Sequence, residues 1–533
     1  MPAPSRRRAA FALCAVAALL AAAPAPSTLA QERPTEGELF GAPGEPVTAQ
    51  VPPAPAPAAT PPAAPTPAPG ADTRGDALLG DSSPRPTGLI SGEREDWLRL
   101  GGQSYLRAAT TWNRAAPPST WQFTDPAILD LYLDARPNDR VRAYALGRLT
   151  FTAAGSGPGL AAMAGAPGLG GASGSGPTSK AALDQLWLTF DVDHTVFVTA
   201  GKQHVKWGTG RFWSPTDYLH PTRRDPLTLF DDRTGVTMVK AHLPWEQRGW
   251  NVYGIALLED AAGGLQPDGA TTTVSTLGRV GGGARAEVVL GSLELAVDAL
   301  AQKGHTPRFG VDGSFPLGEV DLRFEVALRS GRDVPRWEEV PGSSSADPLL
   351  SRYRLRRFDG LTPAAVVGAE WSWKYSDEDS LTVGGEFSYD ASGYDSAGIY
   401  PFLLAIPAVP QYLSSLVLPD VRNAFTPFYL ARRYLGLYLY LPKPGAWNNT
   451  SFTVSALGSL IDGSGVVRID HALVLNTYLK LETYVAGHVG HEGGEFRFGG
   501  TIPPQVLGAG VSTPTFRIPP PVLDLGVALR VAL

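Results

Sequence analysis

Residues 318–329 have the sequence GEVDLRFEVALR, in which apolar and ionised side chains alternate. The residues of one parity are apolar: Val320, Leu322, Phe324, Val326 and Leu328. The residues of the other parity are mostly ionised: Glu319, Asp321, Arg323, Glu325 and Arg329. Because successive side chains of a β-strand point to opposite faces, this stretch predicts a strand with one apolar face and one ionised face.

The same two-residue period recurs from Trp97 to Leu533, for example in 363–375 and 478–489. Few segments place apolar residues three and four positions apart, so the pattern does not favour helices. It predicts about eighteen strands, with 16 as the alternative count. Their approximate ranges are 97–108, 128–136, 140–152, 182–192, 195–206, 235–243, 249–259, 277–290, 293–303, 307–315, 319–330, 363–375, 380–390, 425–441, 450–461, 466–475, 478–489 and 522–533.

The connections between these strands alternate between short turns and long Gly-rich or Pro-rich stretches. Short turns include 137–139, 291–292, 316–318 and 376–379. Long connections include 153–181, 207–234, 331–362, 391–424 and 490–521, whereas 462–465 is short and breaks the rule. Short turns at one end and long loops at the other are typical of transmembrane β-barrels. The sequence therefore predicts an all-β, antiparallel, up-and-down transmembrane barrel, with a soluble secreted sandwich array as the alternative.

The first 90 residues differ in composition from the rest of the chain. Residues 1–30 combine three arginines, an apolar run and a small-residue stretch, as a secretory signal peptide does. Residues 31–90 are rich in Pro and Ala and predict a disordered spacer. We expect residues 91–533 to form the barrel in the cell outer membrane, with the spacer in the periplasm.

Composition and motifs narrow the function. Only 18% of residues are charged and the net charge is −6, which argues against a nucleic-acid partner. The single cysteine, Cys14, lies in the signal region, so the mature chain would have no disulfide, catalytic thiolate or cysteine-bound zinc. The sequence contains neither an H-E-x-x-H nor a G-x-S-x-G motif. We therefore expect no enzymatic activity, no catalytic residues, no metal and no cofactor.

The long connection 207–234 is the candidate constriction or ligand loop. It mixes aromatic residues with charged ones, and the candidate site residues are Trp207, Arg211, Trp213, Asp217, Arg223, Arg224 and Arg233. Aromatic faces beside Arg and Asp suit sugars or anions. The alternative is a belt of interfacial aromatics with a self-paired loop. In the preceding strand, Lys202 and His204 share the parity of Val198, so either Gly201 forms a bulge or these residues lie above the hydrocarbon.

The ionised parity of the strands predicts the wall of the lumen. The candidate wall residues are Arg142, Arg148, Arg285, Glu287, Arg323, Glu325, Glu370, Lys480 and Glu482. Their signs interleave, which favours cross-strand ion pairs and no strong ion preference of the wall itself. The alternative is an ordinary solvated polar wall.

Two further segments bear on partners and on access to the lumen. The run 352–357 contains four arginines that could meet lipopolysaccharide phosphates or an anionic solute, or be ordinary loop charge. Residues 399–418 are apolar but interrupted by prolines, so they predict either a plug in the lumen or a loop packed on its neighbours.

Together these features resemble Gram-negative outer-membrane porins over residues 97–533. The segment 201–221 (GKQHVKWGTGRFWSPTDYLHP) is similar to a stretch found in capsule-assembly and alginate-export-like barrels. The last residue is Leu533, where such barrels usually end on an aromatic residue. The resemblance implies assembly by the barrel assembly machinery, contact with outer-membrane lipid and lipopolysaccharide, and a lumen open to a small polar solute or glycan.

We therefore expect a porin-like channel through which small polar solutes diffuse, with sugars or anions as candidate solutes. The alternative is a barrel for surface polysaccharide binding, assembly or export whose lumen is plugged by loops. Homo-oligomerisation is left open.

Overall fold

The computed structural model describes residues 97–114, 117, 122–124, 126–152, 178–220, 223–228, 233–258, 280–303, 305–330, 336–344, 347, 351–356, 360–376, 379–405, 427–502 and 516–532. The predicted signal peptide and spacer lie outside these residues. Among the residues that are described, no helix is long and apolar enough to cross a membrane.

Eighteen antiparallel strands form one continuous sheet. They are β1 (Leu98–Asn113), β2 (Pro126–Asn138), β3 (Val141–Thr152), β4 (Thr178–Val192), β5 (Val196–Gln203), β6 (Val236–Trp245), β7 (Trp250–Leu257), β8 (Gly281–Leu290), β9 (Leu293–Gln302), β10 (Arg308–Leu317), β11 (Val320–Ser330), β12 (Leu361–Lys374), β13 (Ser380–Asp390), β14 (Arg433–Pro442), β15 (Thr450–Ser459), β16 (Gly465–Asn476), β17 (Leu479–Val489) and β18 (Pro521–Ala532). Each strand pairs with the next, and β18 pairs with β1 from Gln103–Ala532 to Asn113–Pro521, which closes the sheet.

The closed ring confirms the predicted barrel and its count of eighteen strands; the alternatives of 16 strands and of a soluble sandwich are wrong. The largest difference in bounds is at β14, which begins at Arg433 and not at 425. The residues just before it turn into the barrel, where Leu430 and Ala431 are buried. Similarly, β5 ends at Gln203, three residues earlier than predicted, because the chain leaves the wall there.

The two faces of the wall differ as the alternation predicts. On β11, Val326 is 37% exposed on the outside, whereas Glu325 is fully buried on the inside. Large apolar side chains are exposed on the outside of nearly every strand, for example Leu131, Val297 and Ile469. An exposed apolar outer face on a closed sheet, with no unpaired strand edge, is suited to hydrocarbon. The structure is therefore that of a transmembrane barrel.

Connection length separates the two ends of the barrel. At one end, turns of two to seven residues join β2 to β3, β4 to β5 and every later even-numbered strand to its successor. The opposite end carries the long connections, apart from 303–307 and 460–464, which are also short. The first residue of β1 and the last of β18 lie at the short-turn end, as expected for an even number of strands.

The pairing register around β5 shows whether Gly201 forms the predicted bulge. The pairing of β5 with β4 and β6 is continuous. The shift lies instead between β3 and β4, where Leu146 pairs with Gln185 and Gly147 with Leu183. The bulge is therefore at Asp184 on β4 and not at Gly201. Gly201 has φ = 129°, which favours glycine, and a Cβ there would overlap the backbone of Leu186.

Candidate functional site

Residues 204–220, 223–228 and 233–235, which we call the inward segment, lie between β5 and β6 and fold into the barrel. The base of the segment is fixed by the buried carboxylate of Asp184 on β4. This carboxylate lies 2.9 Å from His204 Nε2 and accepts a hydrogen bond of 3.1 Å from the backbone N–H of Gly235. The guanidinium of Arg148 lies 3.4 Å away. One wall carboxylate thus holds both ends of the inward segment.

From this base, the inward segment packs on apolar side chains of the wall. Trp207, Tyr218 and Leu219 are at most 5% exposed. They form a cluster with inward-facing residues of five strands, namely Val236, Met238, Ile255, Leu257, Leu300, Ala327 and Ala364. The Tyr218 hydroxyl donates to the Phe309 carbonyl at 2.7 Å, and Arg285 lies 5.9 Å from the Trp207 ring. The segment therefore follows the wall from β6 to β12.

Two buried glutamates then bind the backbone of the inward segment. Glu325 on β11 accepts hydrogen bonds from the N–H of Gly210 and from the N–H and hydroxyl of Thr216, the last at 2.9 Å. Glu386 on β13 accepts three consecutive N–H bonds, from Arg211 at 2.6 Å, Phe212 at 3.2 Å and Trp213 at 2.8 Å. Each of these side chains bonds to two or more backbone N–H groups, so the two glutamates are the main polar anchors of the segment.

The inward segment reaches the far side of the barrel at β14. Trp213 stacks on Tyr434 with ring centroids 5.5 Å apart, and its indole N–H donates to the Phe428 carbonyl at 3.0 Å. Phe212 meets Tyr438 edge to face at 5.8 Å. In an 18-strand ring, β14 is nine strands from β5 in either direction. The segment therefore lines half of the wall, β6–β14, which we call the covered half.

The remaining candidate site residues lie in or contact the part of the inward segment that leads from its tip back to β6. Arg223 lies 3.8 Å from Asp390 and 4.7 Å from the Tyr429 ring. The backbone carbonyl of Arg224 accepts a hydrogen bond from the Tyr429 hydroxyl at 2.6 Å. Arg233 pairs with Asp217 at 3.0 Å within the segment itself. The structure thus brings Trp207, Arg211, Trp213, Arg223 and Arg224 against the wall, whereas Asp217 and Arg233 hold the segment together.

The other half of the wall, β15–β18 and β1–β5, is the open half. Near the long-loop end it is partly roofed by Phe496, which packs on Phe428 and Tyr434. The neighbouring Glu495 is buried and accepts hydrogen bonds from the Tyr434 hydroxyl at 2.7 and 2.9 Å. Burial raises the pKa of Glu495 to about 8. This loop carboxyl group is therefore largely protonated at neutral pH.

Two lumenal arginines stand out by their surroundings. Arg211 lies 3.6 Å above the Tyr438 ring, and burial lowers the pKa of its guanidinium. Arg107 on β1 donates to the Tyr484 hydroxyl at 3.4 Å. Among the residues that the structure describes, neither arginine has a carboxylate within ion-pairing distance. The carboxylates that act on them, Glu370 on Arg211 and Asp225 on Arg107, do so from beyond ion-pairing distance.

The candidate wall residues point into the lumen, and most of them are ion-paired. All but one of the pairs run within a strand or between neighbouring strands: Arg142–Asp134 at 2.8 Å, Arg148–Asp130 at 2.8 Å, Arg285–Glu287 at 2.9 Å, Arg323–Glu370 at 2.5 Å and Lys480–Glu482 at 3.3 Å. The exception is Arg285–Asp312 at 2.6 Å, which joins β8 to β10. Glu325 differs, because it binds the backbone of the inward segment. These pairs neutralise most of the wall charge.

The basic run 352–357 and the apolar run 399–418, singled out in the sequence, make contacts within the loops. In the basic run, Arg352 pairs with Glu339 at 3.1 Å and Arg356 with Glu338 at 2.9 Å across a two-stranded hairpin, Arg336–Glu339 with Tyr353–Arg356. Arg357 lies outside the described residues. In the apolar run, Tyr400–Ala405 forms a short helix in which Phe402 packs on Trp337. Residues 406–418 also lie outside the described part.

Sequence analysis missed three residues of this site. Asp184 was hidden by the bulge, which breaks the parity of β4. Tyr434 and Tyr438 receive the tip of the inward segment, and their signal was available, because both lie on the inward parity of β14. Within the described residues, no cluster of His, Cys, Asp and Glu could hold a metal ion.

No protein-family model and no curated protein matches the chain. Its structure is similar to OccAB1 of Acinetobacter baumannii (9% identity, TM-score 0.44, covering 85% of this chain and 99% of that one). It is also similar to OccK8 (OprE) of Pseudomonas aeruginosa (11% identity, TM-score 0.46, covering 83% and 99%). A mutant of the Rh. blastica porin gives 11% identity and a TM-score of 0.36, covering 82% and 100%. No TM-score here reaches 0.5, so the function proposed below depends on the geometry of this chain.

Proposed function

We propose that the chain is an outer-membrane channel through which small polar solutes diffuse, narrowed by the inward segment. The observation that carries this proposal is that the described contacts of the segment run along one half of the wall. Its anchors, from Asp184 through Glu325 to Glu386, lead it along β6–β14. The open half keeps ionised and aromatic side chains that need water or a polar solute.

The dimensions of the barrel support a water-filled path. Small eight-stranded barrels are filled by their own side chains, whereas barrels of 16–18 strands leave an aqueous channel. The outward apolar face suits the outer membrane, in which β-barrels are the usual spanning proteins. The short-turn end, where both termini of the barrel lie, would then face the periplasm.

An anion preference is the finer part of the proposal. Most wall pairs cancel locally, and Arg107 and Arg211, which have no ion-paired carboxylate, would add positive potential along the path of a solute. A unit charge interacts with an ion 4 Å away by about 1 kcal/mol in water, and more strongly where water is partly excluded. Two guanidinium groups without an ion-paired carboxylate therefore favour the entry of anions.

Conductance of the purified full-length protein in planar lipid bilayers tests this function. We expect stepwise conductance that is larger for a variant lacking residues 208–230, because the deletion removes the part of the segment that narrows the lumen. Heat-dependent migration on gels checks that both proteins are folded barrels. Silent bilayers with folded protein would overturn the channel. Retention of a glycan by such a silent barrel would favour a plugged polysaccharide-binding barrel.

A further inference from the structure

Three aromatic side chains stand next to one another on β2, β3 and β4, in the open half of the lumen. The centroids of Tyr132 and Tyr144 are 5.9 Å apart with ring planes at 19°. Those of Tyr144 and Trp187 are 5.3 Å apart at 22°. All three side chains are half-buried and none belongs to the apolar clusters around the inward segment. We call them the aromatic row.

Polar groups border the aromatic row. The guanidinium of Arg142 lies 5.3 Å from the centroid of Trp187. It is fixed there by two hydrogen bonds to Asp134, of 2.8 and 2.9 Å, and its side chain remains 28% exposed. Within the described residues, the hydroxyls of Tyr132 and Tyr144 have no hydrogen-bond partner. The row therefore offers aromatic carbon together with unused donors and acceptors.

Two tyrosines of the covered half provide a comparison, because they are fully packed and their hydroxyls are hydrogen-bonded. Tyr434 and Tyr438 are 3% and 4% exposed. Their hydroxyls bind Glu495 and Glu370, respectively. Tyr132 and Tyr144 have neither this burial nor these partners. Packing alone therefore does not explain the aromatic row.

The position of the aromatic row places it on the path of a solute. Trp187 lies three residues nearer the short-turn end of β4 than Asp184, which holds the base of the inward segment. Tyr144 is the fourth residue of β3, directly after a short turn. A solute that has passed the inward segment would meet the row before it leaves the barrel.

We propose that the aromatic row is a binding site for a neutral saccharide. This inference deepens the proposed channel function, on which it rests. The carbon-bound hydrogens of a pyranose ring would contact the aromatic side chains, while its hydroxyl groups would bond to the phenols and to the Arg142–Asp134 pair. Ligand sites commonly combine such an apolar lining with a few fixed polar groups.

Current block by maltotriose, a chain of three neutral glucose units, tests the site in planar bilayers. We expect a concentration-dependent block of the wild-type channel. Trp187→Ala should weaken it by up to about tenfold, because an aromatic contact contributes about 0.5–1.5 kcal/mol and 1.4 kcal/mol corresponds to a factor of ten. Tyr144→Phe should weaken it less. The matched control is Tyr440→Ala, an inward tyrosine on β14 outside the row, which should leave the block unchanged.

The possible outcomes separate this site from the channel itself. Normal conductance without block by maltotriose, or equal weakening by Tyr440→Ala, would overturn the saccharide site and leave the channel. Equal block by benzyl alcohol, an uncharged aromatic solute, would overturn the saccharide as ligand. Absent conductance with calorimetric binding of maltotriose that Trp187→Ala weakens would overturn the channel and support the site.

Discussion

The covered and open halves of this barrel are built from the same alternating strands, yet their inward faces differ. On β6, β7 and β9 of the covered half, Met238, Leu257 and Leu300 are apolar and almost fully buried. On β2 and β3 of the open half, Asp130 and Arg148 form an ion pair. An apolar side chain inside a wide barrel meets water unless something packs on it. The inward apolar residues therefore mark where loops pack on the wall. These are the inward segment on β6–β14, and the tip of that segment together with Phe496 on Leu457, Val466 and Ala486 of β15–β17.

The anchoring carboxylates extend the same comparison. Glu482 in the open half is bound by Lys480 and Arg530 at 3.3 and 3.2 Å, as a wall ion pair. Glu325 and Glu386 in the covered half instead accept backbone N–H groups of the inward segment. A carboxylate that binds a backbone fixes the path of the chain, whereas one that binds a neighbouring cation stiffens the wall. Glutamate therefore stabilises the wall in the open half and binds the inward segment in the covered half.

Removal of the Glu386 anchor should have the largest effect. Glu386→Ala leaves three N–H groups of the inward segment without their acceptor, and each such loss costs about 1–3 kcal/mol where the group is buried. We expect the tip of the segment to leave β14 and the channel to widen. The size of the largest polyethylene glycol that enters the pore, measured from conductance in bilayers, should increase.

Two variants control this experiment. Glu386→Gln retains one acceptor oxygen and should widen the channel less than Glu386→Ala. Glu482→Ala removes a carboxylate of the open half, which does not touch the segment, and should leave the polymer cut-off unchanged. If Glu386→Ala keeps the wild-type cut-off while the barrel is folded, the anchoring role of Glu386 is wrong.

Ion selectivity should respond more moderately. The double variant Arg107→Gln, Arg211→Gln removes two lumenal cations for which the described residues provide no ion-paired carboxylate, so the preference for chloride over potassium should fall. About 1 kcal/mol of interaction per charge corresponds to roughly a fivefold change in partition. The reversal potential under a potassium chloride gradient measures this change. It should be largest at low salt, because salt screens the charges.

The matched control removes the Arg142–Asp134 pair, whose carboxylate also pairs with the half-exposed Arg136 at 3.1 Å. Asp134→Asn with Arg142→Gln neutralises one anion and one cation of the open half and leaves the net charge unchanged. We expect its reversal potential to remain that of the wild type. A shift as large as that of the arginine variant would show that the paired wall, and not Arg107 and Arg211, sets the selectivity.

The sequence predicted the barrel well because its signal is local. In β11, alternation between Glu319 and Arg329 identifies a strand and both of its faces without any knowledge of its neighbours. β1 extends five residues beyond its predicted end, whereas two other predicted bounds failed where the chain leaves the wall, after Gln203 and before Arg433. There the strand ends because a tertiary contact competes with further pairing, and a two-residue period carries no information about such a contact.

The candidate site was less predictable, for a different physical reason. The charged and aromatic residues of the inward segment were recognisable, but their partners were not. Glu325 resembles every other wall carboxylate in sequence, since a backbone N–H donor can come from any residue type. Asp184 was hidden because a single bulge moves a side chain to the other face. The short connection 303–307 likewise has no feature that reveals which end of the barrel it occupies.

The smallest expected effect is a change in thermal stability caused by substituting two glycines that lie beneath tyrosine rings. One glycine lies in each half of the barrel, so the two can be compared directly. Gly384 pairs with Tyr438 in the covered half, and Gly526 pairs with Tyr484 in the open half. A Cβ at either glycine would overlap the ring. Overpacking of this kind usually costs about 1–3 kcal/mol. The cost depends on whether the ring can move away.

Tyr438 cannot move freely, because Arg211 lies 3.6 Å above its ring and Phe212 meets its edge. Tyr484 is only partly buried, although Arg468 lies 3.9 Å above it, so its ring can shift towards the lumen. Gly384→Ala should therefore lower the midpoint of heat unfolding, measured by gel migration, more than Gly526→Ala. Gly254→Ala, where a Cβ meets nothing within 4 Å, should leave the midpoint almost unchanged. Equal losses at Gly384 and Gly526 would mean that the inward segment does not confine the tyrosines of the half that it covers.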